Sequence, residues 1–355
     1  MQKGVIPCSQ LITANEHEHS QLTIFYTKGA LTLKYILKKI IIFVLTLWVA
    51  LTINFILPRM MPGNPAEAMI ARAQGRLSST ALKALEVAFG VNVHQNIFVQ
   101  YFEYLGRTLT GNFGISTTYY PSTVAYEIGT HLPWTLGLLG ITTVLSFLVG
   151  TIIGIRAAWK RDSAVSTTSV ITSIFMNSVP YFWIALLFQY LFGFVLGWFP
   201  VSGAFSATGP QGIALIGSIL YHAILPSLVI FITSIGGWIL TMRNNMISIL
   251  SDDYITFANA QGIPDNKIKY NYAARNAILP NFTGFAMAMG FIMSGAILTE
   301  TIFSYPGVGY LLYQSVVNLD YPLMQALFFF IVVTVLIANF IADMTYIFID
   351  PRVRM

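Results

Sequence analysis

Charge is what this chain of 355 residues has least of: Asp, Glu, Lys and Arg make up 9% of it, against roughly a quarter of a typical globular domain. With 55% hydrophobic residues besides, most of the chain cannot face water, which leaves an all-α polytopic membrane protein. The shortage is concentrated: from Ser163 through Met242, 80 residues, there is no charged side chain. About 20 residues suffice to cross a bilayer, so this run holds more than one crossing. A single cysteine, Cys8, excludes an internal disulfide and reads as inert without a catalytic constellation beside it. No lysine follows a glycine, so the phosphate loop GxxxxGK(S/T) is absent, and no HExxH occurs. Carboxylates within the apolar stretches are almost confined to Asp343, whereas proton- and ion-coupled carriers commonly place carboxylates or histidines at mid-membrane. Nothing reads as a self-contained energy source, and no catalytic residue is identified. Glu16-His17-Glu18-His19 reads as a solvated polar run rather than a metal site, since no further ligand stands at metal spacing. Without a basic stripe interleaved with polar residues, nucleic-acid binding is not expected.

What is present is a series of six apolar spans: Lys38–Leu57, Leu132–Ile155, Ser163–Phe194, Ala223–Met242, Ala277–Thr299 and Tyr321–Phe348. The third is too long for one upright helix, and Asn177-Ser178-Val179-Pro180 inside it predicts a kinked single crossing. With the N-terminus inside, 14 Lys and Arg residues fall on the cytoplasmic side and 5 outside, all 5 in the loop over residues 58–131. That asymmetry predicts a multi-pass protein of the plasma or inner membrane with both termini cytoplasmic. Residues 1–32 lack the pattern of a signal peptide and read as a cytoplasmic tail.

Between the fourth and fifth spans lies a polar, glycine-punctuated island, Tyr254-Ile255-Thr256-Phe257-Ala258-Asn259-Ala260-Gln261-Gly262-Ile263-Pro264, running on to Arg275-Asn276-Ala277-Ile278-Leu279-Pro280. Gly costs about 1 kcal/mol in a helix interior and Pro about 3, so the island predicts a short helix, a sharp turn at Gly262 and a second helix. Small residues recur at helical spacing in Gly150 with Gly154, Gly193 with Gly197, and Ala286, Gly290 and Ser294. Each set predicts close helix packing, and the last could also line a translocation path. Asn339, Asp343 and Asp350 share one helical face, read as an inward polar face at a subunit interface. Beyond the fifth span, Glu300 and the turn Tyr305-Pro306-Gly307 predict a folded loop at the outer surface.

The island resembles the cytoplasmic docking loop of permease subunits of dipeptide/oligopeptide-type ABC importers, whose pattern is E-A-A-x-x-x-G. Counting back from Gly262 places its first three positions on Thr256, Phe257 and Ala258, so the Glu is missing. Arg275-Asn276-Ala277-Ile278-Leu279-Pro280 is similar to the family's R-N-A-L-L-P, whereas Asn271-Tyr272 depart from the Arg-His often found there. The resemblance runs from Leu33 to Arg354, through Arg59-Met60-Met61-Pro62-Gly63-Asn64-Pro65, Leu132-Pro133-Trp134-Thr135-Leu136, Glu300-Thr301-Ile302-Phe303-Ser304-Tyr305-Pro306-Gly307-Val308-Gly309 and Asp350-Pro351-Arg352. It implies an N-terminal extension (1–32) and a transmembrane permease domain (33–355) with a large external loop (58–131) and an ATPase-coupling loop (243–280). Thr256, Phe257, Ala258, Ala260, Gly262, Arg275 and Pro280 are then the coupling residues, and Glu300, Tyr305, Pro306 and Gly307 candidates for an external gate. The partners implied are a homologous second permease, two cytoplasmic ABC ATPases, an extracytoplasmic solute-binding protein and membrane lipid. ATP and Mg belong to the ATPases, this chain binding no cofactor. The cargo implied is oligopeptide or dipeptide, with oligosaccharide as another class. The alternative is an ion-coupled secondary carrier or channel without an ATPase partner.

Overall fold

The computed structural model describes residues 37–61, 96–206, 211–292 and 295–349, with side chains described as far as Ile341. The readings made for residues 1–32, for residues 62–95 of the 58–131 loop, for Ser294, for the Asp343 side chain and for Asp350 lie outside the described residues. Within them the chain is helical, without a strand.

Four helices are long and apolar enough to cross a membrane: α1 (Leu37–Met60), α3 (Val124–Trp159), α6 (Ile213–Leu250) and the described part of α11 (Tyr321–Ile349). Between α1 and α3 lies α2 (Ile97–Leu109). The helices α3 and α6 contain 36 and 38 residues. At 1.5 Å per residue each is about 55 Å long, well beyond a hydrocarbon core of about 30 Å. They run side by side as the spine of the molecule. Their seam is set by glycine: a Cβ on Gly150 would stand 2.6 Å from Trp238 Cβ, and one on Gly154 2.8 Å from Ile239 O and Met242 Cβ. The Gly150/Gly154 face is therefore a close helix crossing, as its spacing predicts.

The third span is not a gently kinked helix. α4 (Ala164–Ser178) stops at Val179, which is extended (φ −87°, ψ 125°), because Pro180 removes a backbone donor and disfavours a helical residue before it. The chain resumes as α5 (Tyr181–Phe188), continued by a π-helical stretch over Gln189–Val195, with the two halves bent by 92°. Gly193 and Gly197 do not form a helix-packing face either. Gly193 lies against Val201 of its own hairpin, while Gly197 takes a left-handed φ of 63° that turns the chain. Proximity within the chain explains the size of Gly193, and the left-handed backbone that of Gly197.

The fifth span is also interrupted. A π-helical stretch over Ile268–Ala274 leads into α8 (Arg275–Phe291), 17 residues that end before Gly295, whose φ is 71°. The predicted end of the span, Ile297–Thr299, belongs instead to a separate short helix, α9 (Ile297–Ile302), followed by α10 (Val308–Val317). Four continuous helices, or five with the bent pair, thus meet the length and hydropathy of a crossing among the described residues.

Candidate functional site

Two regions carry the candidate residues, one at each end of the spine. The first is α7 (Asp253–Ala260), set where α6 ends. Its buried residues, Ile255 and Ala258, pack with Ile155 and Ala158 of α3, Met242 and Met246 of α6, and Ile268, Ala273, Ala274 and Ala277 at the entry to α8. Full burial of one aliphatic side chain is worth about 2 kcal/mol, so this shared cluster pins the short helix although eight residues would not hold a helix alone. Asn276 Nδ2 adds a hydrogen bond of 2.9 Å to Tyr254 Oη.

The turn after α7 ends the helix by closing its last carbonyls. Gly262 N–H donates to Asn259 O at 3.0 Å and Ile263 N–H to Ala258 O at 3.3 Å. This double closure around a left-handed residue is the Schellman motif, and Gly262 supplies the φ of 71°. Ile263 folds back onto the same apolar cluster, and Pro264, with ψ at 137°, is the N-cap from which helix resumes at Asp265. Of the residues singled out from sequence, Thr256, Phe257, Ala260, Gly262, Arg275 and Pro280 are exposed. Ala258 points inward as an anchor. The region therefore offers an exposed knob whose inner side is packed on α3, α6 and the entry to α8.

The second region is the link α9–α10 at the opposite end of the spine. Glu300 is fully buried. Its Oε2 accepts from Gly309 N–H at 2.7 Å and Tyr310 N–H at 3.1 Å, while its Oε1 accepts from Thr135 Oγ1 at 2.9 Å. The Thr135 oxygen in turn accepts from Val308 N–H at 2.7 Å. Three successive orphan donors at the start of α10 are thus satisfied by a carboxylate and a hydroxyl 165 residues apart in sequence. Burial pushes the Glu300 carboxyl up, and these hydrogen bonds pull it back only in part. The Tyr305 hydroxyl is pushed up to about 12, by burial first and then by the Glu300 charge. Glycine is required here for close approach: a Cβ on Gly307 would stand within 2.5 Å of both the Glu300 carboxylate and Thr135 Oγ1. Tyr305 packs edge-on to Trp134, and Pro306 is half-buried.

Two residues escaped the sequence reading. Thr135 stands in a quoted motif but received no role, because its partner lies on a distant segment. Asp320 is fully buried; its Oδ1 accepts from Leu323 N–H at 3.2 Å and its Oδ2 from Thr118 N–H at 2.9 Å and from Ser116 Oγ. It caps the start of α11, and an aspartate just before an apolar helix was the available signal.

Among the helix-interface candidates, Gly290 sits in a crossing so close that a Cβ there would overlap Ala338 Cβ of α11. Ala286 is half-buried on α8, and Asn339 is exposed beside buried Ala338. The structure thus brings Gly290 and the Asn339 turn of α11 together. It leaves Asn339 itself facing outward.

Known proteins are similar in sequence to this chain over about nine-tenths of its length. A family model described as "Binding-protein-dependent transport system inner membrane component" matches residues 150–355. The oligopeptide transport system permease protein AppB of Bacillus subtilis is 29% identical, covering 90% of this chain and 99% of its own length. The di/tripeptide transport system permease protein DppB of Pseudomonas aeruginosa is 30% identical, over 91% of this chain and 99% of its own. The glutathione transport system permease protein GsiC of Salmonella choleraesuis is likewise 30% identical, over 91% and 99%.

Proposed function

The chain belongs to the family of inner membrane components of binding-protein-dependent transport systems, and on that premise we propose that it supplies one half of the pore of a peptide-importing ABC transporter. The relatives named for oligopeptide, di/tripeptide and glutathione transport support a peptide cargo. In this reading both termini are cytoplasmic, as the distribution of Lys and Arg argues, so that α7 faces the cytoplasm and α9–α10 the outside. Two ATPase subunits hold ATP and Mg, one gripping the exposed face of α7 through Thr256, Phe257, Ala260 and Gly262. A second, homologous permease completes the pore, and a solute-binding protein delivers peptide to the outer surface. This chain does no hydrolysis. ATP-driven closure of the ATPases displaces α7, and the apolar cluster shared with α3, α6 and α8 passes that displacement into the spans.

The observation that carries the reading is the exposed, Schellman-capped knob of α7, anchored on α3, α6 and the entry to α8. The test is Gly262→Val in the assembled transporter. A β-branched residue cannot readily hold φ near 71°, so the knob changes shape while the spans remain intact. The expected result is normal membrane level with loss of peptide uptake and of ATPase co-purification. Wild-type ATP-driven uptake would remove the docking role from this turn.

A further inference from the structure

The helix α2, which is not a span, is sharply divided into two faces. Phe98, Phe102, Leu105 and Leu109 fall on one stripe at i, i+4, i+7 and i+11. Phe98, Phe102 and Leu109 are 70%, 68% and 65% exposed. On the opposite side Gln100, Glu103 and Arg107 join Arg59, Asn112 and Gln325 around a polar cavity of about 320 Å³. Between these faces, α2 is fastened to α1. Tyr101 Oη lies 2.8 Å from Thr52 Oγ1, Asn54 Nδ2 donates to Tyr104 Oη at 3.0 Å, and the Phe55 ring packs on both tyrosines at 5.2 and 5.6 Å.

These contacts fix the depth of α2. The apolar run of α1 ends at Pro58-Arg59, and Arg59 Nη2 donates to Gln100 Oε1 at 2.9 Å. Thr52 stands seven residues before Arg59, about 10 Å along the helix. The bonds at Thr52, Asn54 and Arg59 therefore hold α2 within the last 10 Å of the span. Amphipathic helices that lie in a membrane surface bury their apolar face about 5–10 Å into the boundary between headgroups and acyl chains. At the same level α1 itself exposes Ile53, Ile56, Leu57 and Met60, so the stripe on α2 continues a surface already directed at lipid. A face of this size left in water would be costly at about 25 cal/mol per Å² of apolar area.

We infer that α2 is an interfacial helix lying in the membrane surface at the C-terminal end of α1, with Phe98, Phe102 and Leu109 among the acyl chains of one phospholipid leaflet and its Glu103–Arg107 side toward water. The placement rests on α1 crossing the membrane and is independent of which side that end faces. It also turns the mouth of the polar cavity to the aqueous phase.

The test uses the full chain with Cys8→Ser, reconstituted in vesicles of phosphatidylcholine and phosphatidylglycerol. Single variants Phe98→Cys, Phe102→Cys, Leu109→Cys, Glu103→Cys and Arg107→Cys carry a nitroxide. Collision of each label with oxygen, which concentrates in lipid, and with a water-soluble nickel chelate is read by electron paramagnetic resonance. The expected result is a higher oxygen-to-nickel ratio at 98, 102 and 109 than at 103 and 107. Equal nickel access at all five positions would overturn the inference, by placing the stripe in water. Shielding of 98, 102 and 109 from both reagents would overturn it too, since protein and not lipid would then cover the stripe.

Discussion

The two ends of the spine are built on opposite principles. At α7 the backbone turn is held by apolar packing beneath and leaves an exposed surface above, with Phe257 at its tip. At α9–α10 the backbone is held by buried polar groups, Glu300 and Thr135, and little of the knot is exposed. Apolar packing tolerates small shifts with gradual loss. A buried carboxylate with three donors does not, because each separated partner is left unsatisfied in a poor solvent. The difference teaches that one end can transmit small displacements while the other is either closed or broken.

The largest effect is expected from breaking the knot. Glu300→Ala strands the donors of Gly309, Tyr310 and Thr135, and should cost at least about 3 kcal/mol, seen as a lower midpoint of thermal unfolding in detergent. Thr135→Val should cost less, since the carboxylate keeps two backbone donors. If Glu300→Ala unfolds like the parent protein, the polar knot is not what closes this end. Asp320→Ala comes next, at about 2 kcal/mol for a lost buried cap, measured in the same way.

Labelling sharpens the contrast without breaking the knot. Ser304 is exposed whereas Thr301 Oγ1 is buried without a partner. With Cys8 replaced, Ser304→Cys should react readily with an external thiol reagent, and Thr301→Cys slowly unless ATP and binding protein open the link. Equal rates at Thr301 in every nucleotide state would make the link a fixed connector. The smallest change in stability is expected for Phe257→Ala, whose ring is 64% exposed: within about 0.5 kcal/mol of the parent, yet with reduced uptake. A normal rate of uptake would show that the apolar tip of α7 is not gripped.

The sequence disclosed the turn at Gly262 better than the knot at Glu300, for a physical reason. Gly262, Pro264 and the small residues before them act on their own backbone, so a local reading reaches them. Glu300 and Thr135 act on each other across 165 residues, and nothing local distinguishes that threonine. Pro180 announced a kink, not a break of 92°, whose angle depends on what α5 packs against: Ile184 and Ala185 share a cluster with Leu138, Leu225, Val229 and Phe303. The spans read as Leu132–Ile155 and Ala223–Met242 are the middles of much longer helices. Hydropathy marks where a helix meets lipid, not where its hydrogen bonds end. The break at Gly295 was missed because one glycine in an apolar run is weak punctuation.

The crossing at Gly154 divides α6 unequally. From Ile239, which it touches, the helix runs on eleven residues to Leu250 beside α7 and back twenty-six to Ile213 at the far end. Those arms are about 16 and 39 Å at 1.5 Å per residue. Treated as a stiff rod on that fulcrum, α6 is a lever whose long arm points away from the knob. On that geometry a displacement of 1 Å at the short end corresponds to about 2.4 Å at the long one, which the packing of Leu225 and Val229 against Leu138 of α3 has to accommodate.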